Sequence, residues 1–106
     1  MIEVEVYCKS TKIAGIRVDG HAESEDLGKD LICAGVSTIL FGTLNALEIL
    51  CEDCSEIEVQ ENAIKIVVKQ DSEKLQTILR AMLIQLETVK ELNPQYCKFE
   101  NIIKED

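Results

Sequence analysis

The chain has 106 residues, 46% of them apolar and 29% charged, and 20 acidic against 11 basic side chains give a net charge of −9 with its single histidine neutral. That length fits one domain over residues 1–106, with enough apolar content for one core and too much for disorder. The acidity repels a phosphate backbone and argues against direct nucleic-acid binding; it suits a basic protein or peptide partner, or serves solubility alone.

Ile2, Val4, Val6 and Cys8 alternate with Glu3, Glu5 and Tyr7, the period of a half-buried strand. A turn over residues 9–12 leads into a second strand over 13–19, where Ala14-Gly15 breaks the alternation and predicts a bulge. Residues 20–29, bounded by Gly20 and Gly28 and carrying Glu23, Glu25 and Asp26, read as a loop. Asp30 is placed to cap a helix over 31–51 by accepting from the N–H of Ile32 or Cys33. Residues 31–47 contain no charged side chain. The run is short for a membrane span, is interrupted by Ser37, Thr38, Thr43 and Asn45, and has no basic flank. A helix so apolar belongs at the centre of a soluble fold or across a dimer interface. Gly35, Thr38, Gly42 and Ala46 form a small-residue strip on it, suited to close backbone approach.

A third strand around Ile57 and Val59 and a fourth over Ile64, Ile66 and Val68 meet at a Glu61-Asn62 turn. Asp71 or Ser72 caps a second helix over 73–92, whose Leu75, Ile78, Leu79, Met82, Leu86 and Val89 follow helical spacing, and Pro94 lies just past its end. Residues 97–104 are expected to add a short edge strand. Each strand has one polar face, so the expected fold is α+β. It is a two-layer sandwich in the order ββαββα, with a possible short C-terminal strand. A mostly antiparallel sheet of four to five strands carries two helices on one face, the first being the most buried element.

The five cysteines, Cys8, Cys33, Cys51, Cys54 and Cys97, are odd in number and irregularly spaced, and the first residues read as a strand rather than a signal peptide. Reduced thiols in the cytoplasm are therefore expected. Cys51-Glu52-Asp53-Cys54 has the spacing of half a zinc site or a redox couple, but it ends a helix beside Glu48, Glu52 and Asp53. Those negative charges raise thiol pKa values, and no second Cys/His pair completes a tetrahedral site, so no metal and no cofactor is expected.

The chemistry concentrates in one pair. His21, the only histidine, lies twelve positions before Cys33. With the helix starting at residue 31, Cys33 falls in its first turn, where unpaired N–H groups favour thiolate over thiol. Ala34-Gly35 leaves access, and a short loop closes at modest entropic cost to bring the imidazole near. Such a pair attacks a carbonyl and protonates the leaving group. Taken singly, a buried structural cysteine and a surface histidine are the plainer readings. Asp30 acts as a cap or orients the imidazole. Ser37, one turn after Cys33, either hydrogen-bonds the thiol and lines a cleft or simply packs.

Gly20-His21-Ala22 followed by Gly28-x-Asp30-x-x-Cys33-Ala34-Gly35-Val36-Ser37 resembles the ribosomal-processing cysteine protease family, Prp, and the resemblance extends over the chain in length and element order. It implies a small, cytoplasmic, homodimeric α+β endopeptidase. Its substrate would be a bacterial large-subunit ribosomal protein, the homologue numbered twenty-seven, from which it removes a short N-terminal extension. The resemblance implies Cys33 as nucleophile and His21 as base and acid, with Gly20, Asp30, Ala34 and Ser37 supporting the site or binding substrate. Segment 22–29 would order around the peptide, and the N–H groups of Cys33 and Ala34 would hold the oxyanion. The Cys-x-x-Cys lies outside the resemblance. From a different class, the alternative is a non-catalytic ribosome-assembly module that binds a basic protein through its acidic face.

Overall fold

The computed structural model describes the backbone of residues 1–20 and 27–103 and the side chains of 1–20 and 31–102. Within these, the elements are β1 (Ile2–Lys9), β2 (Lys12–Asp19), α1 (Leu27–Leu50), β3 (Ser55–Val59), β4 (Ala63–Val68), α2 (Glu73–Leu92) and β5 (Cys97–Ile103). The strands form one sheet in the order β3-β4-β2-β1-β5. The β1–β2, β2–β4 and β3–β4 pairs are antiparallel, and β5 lies parallel to β1. The α+β sandwich read from periodicity is present, and its C-terminal strand has seven residues. A parallel neighbour requires a crossover, and α2 supplies it between β4 and β5.

Alternation decides which face is covered. Ile2, Val4 and Val6 of β1, Ile16 and Val18 of β2, and Ile64 and Ile66 of β4 are buried in one core. The register keeps them level across the sheet, with Val6 opposite Ile16 and Ile16 opposite Ile66. Where β1 and β2 fall out of step, Tyr7 pairs with Gly15 and Cys8 with Ile13, so Ala14 is the extra residue of the predicted bulge. On the open face Arg17 reaches Glu5 at 3.4 Å and Asp19 at 3.0 Å.

Two helices close the core from the other side. In α2, Leu75, Leu79, Met82 and Leu86 are buried at three- and four-residue spacing. Ser72 is its N-cap, its hydroxyl accepting from the Leu75 N–H at 3.1 Å, a contribution of about 0.5–2 kcal/mol. In α1 the buried stripe is Ile32, Cys33, Val36, Leu40 and Leu47, with Thr43 bonded to the Ile39 carbonyl.

Two expectations about α1 are corrected. It starts at Leu27, so residues 27–29 are helical and Asp30 lies inside the first turns, not at the cap. Once a helix is nucleated, each further residue adds a bond for little cost, and this outweighs the roughly 1 kcal/mol penalty of Gly28. Nor is α1 the most buried element, because Leu31, Phe41, Ile49 and Leu50 are exposed. Among the described residues nothing packs closely on the glycines of the small-residue strip: a Cβ added at Gly35 or Gly42 would meet nothing within 4 Å. Thr38, Gly42 and Ala46 instead line a shallow groove beside Ile78 and Ala81 of α2.

Candidate active site

The end of β2 is built around a glycine that no other residue replaces cheaply. Gly20 has φ +89°, and a Cβ there would overlap the Met1 carbonyl oxygen. Its N–H donates to the Asn62 carbonyl at 2.8 Å, which fixes the last peptide of β2 against the β3–β4 turn. Its own carbonyl then faces α1 and accepts from the Cys33 thiol, Sγ to oxygen 3.6 Å. Cys33 is 6% exposed and belongs to the core cluster. Thus Cys33 sits against Gly20, the residue immediately before His21 in the chain. His21 itself, and the segment 22–26 expected to order on a peptide, lie outside the described residues.

The helix start at Leu27 alters the electrostatic argument for Cys33. The cysteine is the seventh residue of α1, and the field of a helix N-terminus fades within its first turn. The N–H groups of Cys33 and Ala34 are likewise interior donors, committed by helical geometry to the carbonyls four residues back. They are not the oxyanion donors expected from a helix beginning at residue 31. Ala34 is exposed next to Cys33, and its carbonyl accepts the Thr38 hydroxyl at 2.9 Å. Ser37 is half-buried four residues after Cys33, on the same helix face. Asp30 lies three residues before Cys33 on α1, with its side chain outside the described set.

One neighbour had no signal in the sequence. Cys97 opens β5, is 6% exposed, and pairs with Ile2 beside Gly20. Burial pushes its thiol pKa up, and negative charge on Cys33 pushes it the same way. Ionisation of Cys33 therefore disfavours that of Cys97. Only the parallel pairing of β5 with β1 brings these thiols into one electrostatic neighbourhood, and no local pattern encodes that pairing.

Among the described residues no three His, Cys, Asp or Glu side chains gather in a metal-binding cluster. A concavity of about 650 Å³ opens at the opposite end of β1 and β2, lined by residues including Tyr7, Lys12, Gly15, Lys65 and Asp71. Neither Gly20 nor Cys33 lines it, so its size carries no weight for the thiol chemistry.

A family model described as Cysteine protease Prp matches residues 1–98. The chain is 32% identical over 95 residues to the ribosomal processing cysteine protease Prp of Staphylococcus aureus (strain Mu50), a match covering 86% of this chain and 90% of that protein. The crystal structure of an essential ribosomal processing protease Prp from S. aureus, in complex with a substrate peptide, superimposes with a TM-score of 0.88 at 28% identity. That match covers 95% of this chain and 99% of the other. The same S. aureus protease with a covalently linked product peptide superimposes with a TM-score of 0.85 at 28% identity, over 95% and 99% of the two chains.

Proposed function

The chain belongs to the Prp family of cysteine proteases, and from that premise we propose that it removes the N-terminal extension of a large-subunit ribosomal protein, the homologue numbered twenty-seven. The carrying observation is the Cys33 thiol held at 3.6 Å on the carbonyl of Gly20, one peptide bond from the chain's single histidine. A relative captured with a covalently linked product peptide supports chemistry that passes through a bond to the enzyme.

The structure bears on how the thiol is activated. Donation of the S–H to a carbonyl favours the neutral form, and the helix start lies too far away to offset it. Activation therefore falls to His21, which takes the Cys33 proton as general base or holds it in an ion pair. The thiolate adds to the scissile carbonyl carbon, and the imidazolium gives its proton to the departing amine. Water, deprotonated by the same imidazole, then hydrolyses the thioester. Asp30, one turn before Cys33, is assigned to orient the imidazole. Gly20 positions the thiol, and Ala34 and Ser37 flank the peptide.

Alkylation of Cys33 by iodoacetamide, followed against pH in the full chain, tests the pair. The thiol should react below the ordinary cysteine range of about 8.5, and His21→Ala should move the profile upward. An identical profile in the two proteins would remove His21 from the mechanism.

The site is proposed to work in the cytoplasm, where irregularly spaced cysteines stay reduced, and within a homodimer. Leu31 (70% exposed), Phe41 (46%) and Ile49 (79%) leave α1 with uncovered apolar surface, which supports a second copy on that helix. Sedimentation equilibrium should return twice the 11.9 kDa chain mass, and Phe41→Glu should shift the distribution toward monomer.

A further inference from the structure

The Cys51-x-x-Cys54 pair stands apart from the catalytic reading, and its geometry calls for its own account. Both cysteines are free thiols, and their Sγ atoms lie 2.6 Å apart, closer than two unbonded sulfurs ordinarily approach. The backbone builds this approach. The Cys51 N–H closes the last turn of α1 on Leu47 at 2.9 Å. Asp53 then takes φ +61° and folds the chain back, so that Cys54 returns onto Cys51 with its N–H 3.4 Å from the Cys51 carbonyl. The Cys54 carbonyl accepts from both Lys69, at 2.9 Å, and Gln70, at 3.1 Å, just past the end of β4. The Cys51 sulfur also lies 3.8 Å from Ser72 Oγ, the cap of α2. The turn is thus held in place by contacts to β4 and α2.

We propose that Cys51 and Cys54 form a reversible dithiol–disulfide site, separate from Cys33, that a hydroperoxide oxidises. A disulfide has sulfurs about 2.05 Å apart, so side-chain rotation of about half an ångström closes the bond. Cys54 is the more accessible of the two, and Cys51 is 8% exposed. The Cys54 thiolate attacks the terminal oxygen of the hydroperoxide; the O–O bond breaks, leaving a sulfenic acid on Cys54 and an alcohol. The Cys51 sulfur then attacks the Cys54 sulfur, the S–O bond breaks, and hydroxide leaves as water with the Cys51 proton. Two thiols and one hydroperoxide become one disulfide, one alcohol and one water, and the two electrons given up by sulfur reduce the peroxide bond. An external dithiol reverses the reaction.

The acidic surroundings bear on rate and equilibrium differently. The adjoining Cys51 side chain comes first among the causes that raise the Cys54 pKa, followed by burial and the charges of Cys51 and Asp53. A smaller thiolate fraction slows the first attack. An unstabilised thiolate also leaves the reduced state without extra stability, and this favours a persistent disulfide once it forms. Proximity makes the second step intramolecular.

The test uses the full chain carrying Cys33→Ser, which removes the proposed nucleophile from competition. After treatment with hydrogen peroxide, the intact mass should fall by two hydrogens, and digestion under acid should place the bridge between Cys51 and Cys54. Dithiothreitol should restore the mass, and the oxidised chain should melt several degrees higher. Cys54→Ser or Cys54→Ala in the same background, each checked for a cooperative melt, should abolish the loss. The proposal is overturned if both thiols remain open to maleimide after excess peroxide, if the bridge maps to another pair, or if oxidation halts at sulfenic acid. Chelator-removable zinc on the pair in the purified protein would overturn it as well.

Discussion

Replacing Cys33 with alanine should reduce cleavage of a peptide spanning the proposed extension by about 10⁴-fold or more, because the proposed bond-forming atom is gone. The fold should survive. Cys33 is a buried core residue, and loss of one sulfur and a long S–H···O contact costs on the order of 1 kcal/mol. Binding of the peptide, measured by fluorescence anisotropy, should be retained within a few-fold. These readouts separate a peptidase from an assembly module, which would show no turnover to lose. Cleavage persisting at the wild-type rate in Cys33→Ala would end the nucleophile assignment while leaving the family membership untouched.

Gly20→Ala should be the costliest alanine substitution among Gly15, Gly20, Gly35 and Gly42. A left-handed backbone at φ +89° costs a side-chain-bearing residue about 1–3 kcal/mol. The new methyl would also overlap the Met1 carbonyl oxygen, a backbone atom that cannot swing aside as a side-chain tip would. Together these put the loss on the order of 3–5 kcal/mol, a large share of what a small domain holds. The midpoint of thermal unfolding should fall by about ten degrees or more. Below that midpoint, kcat should still drop, because movement of the Gly20 peptide carries away the carbonyl that locates the Cys33 sulfur. A melting curve unchanged from wild type would show that the β1–β2 end tolerates a side chain.

What was legible in the chain follows from how local each signal is. Alternation in Ile2–Cys8 and Ile64–Val68, the spacing of Leu75 through Leu86, and the Ser72 cap are decided by residues a few positions apart, and they appear as read. Ala14-Gly15 marked its bulge because a break in alternation is itself local. The start of α1 was misplaced because Asp30 has the chemistry of a cap, while the helix extends a turn upstream through a glycine. That shift removes the dipole argument for Cys33 and moves the burden of activation to His21. The exposed apolar side of α1 was unreadable because its lack of charge fits burial in a core and in an interface equally well. Cys97 was invisible as a neighbour of the site because β5 reaches it by a parallel pairing that depends on the whole fold.

That last pairing has a bearing on when the protein becomes competent. Ile2 lies opposite Cys97, and its N–H is taken by the Tyr96 carbonyl at 2.7 Å, so β1, which abuts Gly20, is itself flanked by a segment from far along the chain. Contacts between such distant stretches form late, since closing so long a loop has to precede any reward from pairing. During synthesis the nascent polypeptide would expose an unsealed β1 until residues 96–103 had left the exit tunnel. Proteolytic capacity is thereby deferred until β5 docks, however early the helix bearing Cys33 has formed.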